Sequence, residues 1–529
     1  MIRTSQLLST RWGVLALGVA AGLAAGLAHP PFGLLPGLLG FAALLMLVDR
    51  ADSARPLRSA FFRGWAGGLG YFAISVWWIA EAFLVEIELH GWMAPFALVF
   101  LSGGLALFFG LAALAYRASG ARGPWRVLVF AGTFAALEWV RGHIFTGFPW
   151  NLPGEAWRAG GPPSQAAALV GAYGLTWITV ALAAAPATLF DRGGRIGRLL
   201  PPALALAALA GLYGYGAARL AGAAQTAPGA PLIRIVQANV DQKEKWRPEN
   251  LPTIFSDYIR LTTQPGQERP QVIVWPEGAL PAVINDLVAP GSPYGPALAE
   301  ALAPGQVLLM GANAAELQPS GDYDYFNSLV GFRREPDALV FAGRYDKHTL
   351  VPFGEYLPLG DLATRLGIRS LVHMPEDFTA GPPPAPLSLP GLPTVQPLVC
   401  YEALFPRTTS RAAARSGVRP SWMLNISNDA WFGATSGPLQ HLNLASYRAI
   451  EEGLPMLRST PTGVSAAIDA YGRILPGERL GLRRAGVIDV RLPPALKPTL
   501  YSRFGEATLL VMLAISAFAA GLARYRRTC

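Results

Sequence analysis

Apolar residues fill the first 220 positions in long blocks separated by short polar joins. A helix needs about 20 consecutive apolar residues to cross a bilayer core. The blocks predict seven membrane spans, over 12–28, 31–49, 61–85, 92–116, 125–143, 165–190 and 199–218. Several are rich in Gly and Ala, which lets helices approach closely in lipid. The first block is not read as a cleavable signal peptide, because more spans follow it and no cleavage site does.

The pattern changes from about residue 228. Charge rises and the apolar runs shorten to strand length, as in Leu232–Val240, Val272–Trp275, Val307–Met310, Pro397–Tyr401 and Trp422–Ile426. Helical stretches such as Pro248–Leu261 and Leu442–Glu452 lie between them. Strands alternating with helices predict an α/β domain over 228–495. Pro/Gly-rich joins such as Gly381–Pro384 mark its loops. A last apolar run, Ala507–Leu522, followed by Arg524, Arg526 and Arg527, predicts an eighth span and a basic tail within 505–529.

Composition agrees with a membrane protein. Of the 529 residues 52% are hydrophobic and 15% charged, whereas a soluble domain has about 25% charged residues. The net charge of +9 sits in short clusters between apolar blocks, which argues for cytoplasmic membrane loops and against a nucleic-acid face. Arg3 and Arg11 precede the first span. Arg50, Arg55, Arg58 and Arg63 lie between the second and third, Arg117, Arg122 and Arg126 between the fourth and fifth, and Arg192, Arg195 and Arg198 between the sixth and seventh. The intervening loop with Glu81, Glu86 and Glu88 has no Lys or Arg. The positive-inside rule then places both termini in the cytoplasm and the α/β domain across the membrane. Within the spans, Glu138 and Arg141 are spaced to pair, and Trp77, Trp78 and Phe148–Trp150 read as interfacial aromatics, with Trp150 a candidate phospholipid contact.

Two cysteines, Cys400 and Cys529, make neither a disulfide framework nor a zinc site, and no metal or cofactor is called for. An interior thiol is either a small core residue or a nucleophile. Its neighbours favour the second reading. VIVWPEG delivers Glu277, RYDKHTLVPFGEYLP contains Lys347 and Glu355, and LVCYEALFP delivers Cys400, Tyr401 and Glu402. Each lies beside a strand end, where α/β folds place their sites. A carboxylate can take the thiol proton, and an ammonium can stabilise the oxyanion of a tetrahedral intermediate. The Tyr401 backbone N–H is a second oxyanion donor. His441 reads as structural.

The order WPEG, YDKHTLVPFGEYLP, VCYEALFP resembles the carbon–nitrogen hydrolase (nitrilase) superfamily. With spans on both sides of the domain, the chain resembles that superfamily's membrane-embedded branch, the apolipoprotein N-acyltransferase family. The resemblance covers essentially the whole chain. It implies an α-β-β-α sandwich with Glu277 as general base, Lys347 as stabilising cation and Cys400 as nucleophile. It also implies supporting roles for Glu355, Tyr401, Glu402, Trp246 in NVDQKEKW, Asn239 and Asn327, and places the segment Asn425–Gly433 near the site. The implied reaction moves an acyl chain from the sn-1 position of a phospholipid, phosphatidylethanolamine by preference, through a Cys400 thioester. Its acceptor is the α-amine of an S-diacylglyceryl cysteine at a lipoprotein N-terminus. The enzyme would be an inner-membrane monomer with a periplasmic catalytic domain. Apolar stretches 351–359, 403–406 and 430–433 would serve as lids that exclude water from the thioester. Two alternatives stay open: a membrane-tethered amidase with the same triad, and a lipid-binding or transport protein with an inactive α/β domain.

Overall fold

The computed structural model describes residues 10–358, 360 and 377–528, with 523–528 given by backbone alone. Arg3, Leu359, Cys529 and the side chains of Arg524, Arg526 and Arg527 lie outside the described residues.

Among the described residues, the α/β domain holds eleven strands in two sheets. The strands are β1 Leu232–Gln237, β2 Val272–Trp275, β3 Val307–Leu317, β4 Tyr323–Arg334, β5 Leu339–Asp346, β6 Val395–Val399, β7 Trp422–Ile426, β8 Met456–Ser459, β9 Ser465–Ile468, β10 Ile474–Leu480 and β11 Gly486–Arg491. One sheet has the order β11-β1-β2-β3-β4-β5 and the other β10-β9-β8-β7-β6. β1, β2 and β3 run parallel, as do β6, β7 and β8, with β6 at the edge of its sheet; the remaining pairs are antiparallel.

Period-two alternation decides which face of each strand meets which layer. Ile233, Ile235, Val272, Val274, Val307 and Leu309 point inward and pack against Val395, Val399, Trp422, Leu424 and Ile426 of the second sheet. The opposite parity, Val236, Ile273, Trp275, Leu308 and Met310, packs on the helix Leu251–Thr262 and its neighbours. On the second sheet Leu398, Met423, Met456 and Ile468 pack under the helix Gly437–Glu452. The layers are therefore helix, sheet, sheet, helix.

Helices dominate the first 221 residues. Three are long and apolar enough to cross a bilayer: Ile87–Ser119, Pro163–Phe190 and Arg195–Ala221. Arg11–Gly26, Leu35–Asp49 and Ala507–Leu522 are apolar but shorter. The expected span over 61–85 is divided. A helix Pro56–Ser75 ends, and a separate short helix Ile79–Leu84 follows. The span over 165–190 breaks at Gly171, whose backbone leaves the helical region at φ 67 and ψ 178. Small residues set the spacing between helices Arg11–Gly26 and Pro56–Ser75: a Cβ on Gly22 would stand 1.7 Å from the Gly67 carbonyl oxygen.

Helix Gly437–Glu452 is buried on both sides, by the second sheet below and by the N-terminal helical region above. Its outer face carries buried polar side chains that bond across to the helical region, beside the apolar Leu444 and Ile450. Asn443 Oδ1 accepts from the Ala159 N–H at 2.9 Å and Glu451 Oε1 from the Ala172 N–H at 2.8 Å. Tyr447 donates to the Trp157 carbonyl at 2.6 Å, and Arg448 pairs with Glu155 at 3.2 Å. Buried polar groups must find partners, and here those partners cross between the two parts of the chain.

Glu138 and Arg141 pair as expected, with Arg141 Nη2 at 2.5 Å and Nε at 3.0 Å from the two carboxylate oxygens. Arg141 also donates to the carbonyls of Phe148 and Trp150. That fixes the loop on which Trp150 stands. Trp78 and Trp150, expected at a membrane interface, are each 2% exposed. Both indole N–H groups donate to Gln440 Oε1, at 3.0 and 2.8 Å. A buried indole needs an acceptor, and Gln440 supplies it. Of the three expected lids, 403–406 is no free flap: Ala403 and Leu404 are fully buried and belong to a 3-10 turn.

Candidate active site

Three strand ends converge on one place. Glu277 follows β2, Lys347 follows β5 and Cys400 follows β6. Glu277 Oε1 accepts from Asn327 Nδ2 at 2.7 Å and faces Lys347 Nζ at 3.5 Å; its Oε2 accepts from the Asn428 backbone N–H at 2.5 Å. Glu355 Oε1 accepts from Lys347 Nζ at 2.8 Å and from Asn327 Nδ2 at 2.8 Å, while Oε2 accepts from the Val351 N–H at 2.8 Å. Lys347 is 1% exposed and shared between two carboxylates. Asn327, on β4, ties the same two carboxylates together through one amide nitrogen.

Cys400 occupies the left-handed region at φ 49, which an L-residue adopts at a cost of about 1–3 kcal/mol unless its surroundings hold it there. Two sets of contacts do so. Glu402, 1% exposed, accepts from the Val399 N–H at 2.8 Å, the His348 N–H at 2.9 Å, the Thr349 N–H at 3.2 Å and the Tyr345 hydroxyl at 3.0 Å. One carboxylate thus joins the end of the Lys347 strand to the start of the Cys400 turn. On the other side His441 Nε2 lies 3.3 Å from the Cys400 carbonyl oxygen. His441 Nδ1 meets Asp429 Oδ1 at 3.0 Å, and Asp429 pairs with Arg458 at 2.6 Å and accepts from Ser427 at 2.8 Å.

Electrostatics differ across the site. Burial raises the Cys400 thiol well above its ordinary value; the Glu277 charge adds to this, and Lys347 and a hydrogen bond from Ser427 only partly oppose it. Burial works to neutralise Lys347, but Glu355 and Glu277 outweigh it and hold the ammonium charged. Burial also works against the Asp429 carboxylate, yet Arg458 and His441 hold its pKa below the ordinary 3.8. Among the described residues, no cluster of His, Cys, Asp and Glu is arranged to hold a metal.

All but one of the remaining sequence candidates fall around this centre. Tyr401 donates its hydroxyl to the Gly147 carbonyl at 2.5 Å, which docks the Cys400 turn onto the helical region. Trp150 stands over His441 with ring centroids 5.6 Å apart. Trp246 is 51% exposed at the rim, with Lys245 Nζ 5.3 Å from its ring centroid. Asn239 is not brought to the triad: it accepts from Thr462 at 2.6 Å and donates its N–H to the Pro461 carbonyl. Asn425–Gly433 reaches the centre through Asn428, Ser427 and Asp429. Sequence reasoning missed Lys245, Gln440 and Arg458. Lys245 is 2% exposed, and burial pushes its pKa down to about 8 despite the nearby Glu277. Its one sequence signal is its place just before Trp246.

Residues 232–496, which carry Glu277, Lys347, Cys400 and their immediate partners, match the carbon–nitrogen hydrolase family. The fold and site therefore define a carbon–nitrogen hydrolase domain. Residues 21–185 match the apolipoprotein N-acyltransferase N-terminal domain. An apolipoprotein N-acyltransferase of Caulobacter vibrioides is 54% identical to the chain, over 98% of this sequence and 96% of its own. One from Allorhizobium ampelinum is 38% identical over 89% and 88%, and one from Bradyrhizobium diazoefficiens 36% identical over 97% and 96%. The chain belongs to the apolipoprotein N-acyltransferase family.

Proposed function

We propose that this enzyme moves a fatty acyl chain from a phospholipid to the N-terminal amine of a diacylglyceryl-modified lipoprotein, through a thioester on Cys400. The observation that carries the reading is the convergence of Glu277, Lys347 and Cys400 at three strand ends, with the nucleophile turn seated by Tyr401 on the membrane-type helices. A raised thiol pKa means that Cys400 rests protonated. Glu277 takes that proton as the sulfur attacks the sn-1 ester carbonyl of phosphatidylethanolamine. The resulting oxyanion is stabilised by Lys347 and the Tyr401 N–H, as fixed donors aimed at developing charge. The ester C–O bond breaks, and Glu277 returns the proton to the departing lysophospholipid alkoxide. In the second half the lipoprotein α-amine attacks the thioester, Glu277 takes the amine proton, and the C–S bond breaks as Cys400 recovers its proton. Glu355 and Asn327 position Lys347 and Glu277, and Trp246 at the rim contacts entering substrate.

The basic joins support an inner-membrane enzyme with eight spans, both termini cytoplasmic and the α/β domain periplasmic. Five further helices, Arg11–Gly26, Leu35–Asp49, Pro56–Ser75, Arg126–Arg141 and Ala507–Leu522, would complete the bundle around the three long ones. All three triad residues come from one chain, so a monomer suffices. An amidase acting on water-soluble substrates has no use for such a bundle. The test is incubation with acyl-labelled phosphatidylethanolamine. A hydroxylamine-labile label on wild type, absent from Cys400→Ser, is expected. Label that persists in the variant overturns the mechanism.

A further inference from the structure

A cavity of about 510 Å³ opens at the end of the helical region remote from Cys400. The helix Arg126–Arg141 measures the separation: it begins at this cavity and ends at Arg141, which holds the loop under Tyr401. Sixteen residues at about 1.5 Å each give about 24 Å. The cavity forms where helix Gly40–Asp49, helix Ala94–Ser119, the loop before Arg126 and the loop 191–194 meet.

Its lining is strongly basic. Arg126 is buried at the base and takes up both acidic side chains present: Asp49 Oδ2 at 2.9 Å, and both oxygens of Asp191 at 2.5 and 2.8 Å. Tyr116 donates to the other Asp49 oxygen at 2.6 Å. With both carboxylates saturated, Arg117, Arg122, Arg192 and Arg198 line the cavity without an ion pair among the described residues. The buried Arg117 Nε has no hydrogen-bond partner. Next to these cations stand large apolar side chains that nothing covers: Trp125 at 37% exposure, Phe190 at 69%, Ile196 at 79% and Leu199 at 51%.

We propose that this cavity is a binding site for the phosphate headgroup of an anionic phospholipid, separate from the acyl-transfer site. Four guanidiniums without a carboxylate partner, one of which (Arg198) donates Nε to the Leu189 carbonyl at 3.0 Å, call for an anion with several acceptor oxygens, and phosphate fits their fork geometry. The apolar shelf calls for acyl chains beside that anion. A basic pocket between membrane helices at one end of the bundle is a recognised form of lipid recognition. The bound lipid would staple loops 120–125 and 191–194 together across the excess positive charge that Asp49 and Asp191 leave uncompensated.

Full-length protein in neutral detergent provides the test. Its unfolding temperature is measured with phosphatidylglycerol, with phosphatidylethanolamine and with inorganic phosphate. Phosphatidylglycerol is expected to raise it by several degrees, and the Arg122→Gln/Arg192→Gln double variant to need on the order of ten-fold more lipid for each lost guanidinium. Thioester formation on Cys400 should stay at the wild-type level in that variant, so this site and the acyl-transfer reading fail separately. An equal shift with inorganic phosphate, or with phosphatidylethanolamine, overturns the anionic-lipid assignment. So does a phosphatidylglycerol shift that the double variant leaves intact.

Discussion

Replacing Glu402 by Gln tests whether that residue is a clamp or an acid. The carboxylate serves three backbone N–H groups and one hydroxyl, with Oε2 on Val399 and Oε1 on His348 and Thr349. A carboxamide keeps the shape but has one oxygen. In either flip its NH2 group faces at least one buried N–H, while the Tyr345 hydroxyl can rotate to accept. Each buried N–H left without an acceptor costs about 1–3 kcal/mol, so Glu402→Gln should destabilise the protein by roughly 2–4 kcal/mol. The larger effect is on geometry. His348 and Val399 adjoin Lys347 and Cys400, so loosening the clamp lets cation and nucleophile drift apart. A misplacement of about 1 Å can cost on the order of a hundred-fold in rate. The assay pairs thermal unfolding with the initial rate of hydroxylamine-labile labelling. Both should fall together. Wild-type stability and labelling in Glu402→Gln would refute the clamp. Lost labelling at unchanged stability would show instead that the carboxylate takes part in proton transfer.

Lys245→Met should stabilise the fold at pH 7 by up to about 3 kcal/mol, because burial lowers the ammonium pKa from 10.5 to about 8 and a thioether has no charge to desolvate. The unfolded chain keeps its proton where the folded one has lost it, so wild-type stability rises between pH 8 and 10.5 and the gap to the variant closes; a constant gap in unfolding temperature across that window contradicts the reading. Asp429→Asn leaves Arg458 buried with no counter-charge and should cost about 3–5 kcal/mol in denaturant unfolding. Because the folded Asp429 pKa lies below 3.8, that contribution is present above this value and is lost as pH falls toward the folded one, so wild type and variant should converge in acid. Gly171→Ala combines a positive φ with a Cβ 2.3 Å from the Tyr501 ring, and should lower the unfolding temperature measurably; a neutral result would mean that this break in the helix is not fixed by packing.

The expected strand Pro397–Tyr401 is shifted, since β6 runs Val395–Val399, but burial on both faces can write a strand as an apolar run legible to the residue. β2 and β7 are such strands, and both lie where the apolar pattern places them. β4 and β5 were not singled out, because their polar residues, Asp324, Asn327, Arg333 and Arg344 among them, interrupt any alternation. As one candidate site, Glu277, Lys347 and Cys400 were legible because each follows a strand end. Its supports were less so. Asn327 sits mid-strand and was named through resemblance alone, and Arg458 reaches Asp429 only through the pairing of β7 with β8. Trp78 and Trp150 misled because an aromatic near a span end is ordinarily interfacial. Only the fold shows a glutamine 290 residues downstream of Trp150 accepting from both indoles.

Helix Gly437–Glu452 carries one more consequence. A sandwich domain ordinarily ends at its outer helices, which turn a wet face to solvent. Here that face holds Asn443, Tyr447, Arg448 and Glu451, all buried and all partnered by residues from 154 to 172. The catalytic domain is thus not a separable cargo on a membrane anchor. Cut free near residue 228, it would expose a charged seam built for protein contact together with the apolar side chains around it. The bundle acts as a fifth layer of the sandwich, so any soluble version of this enzyme would require redesign of that helix rather than simple truncation.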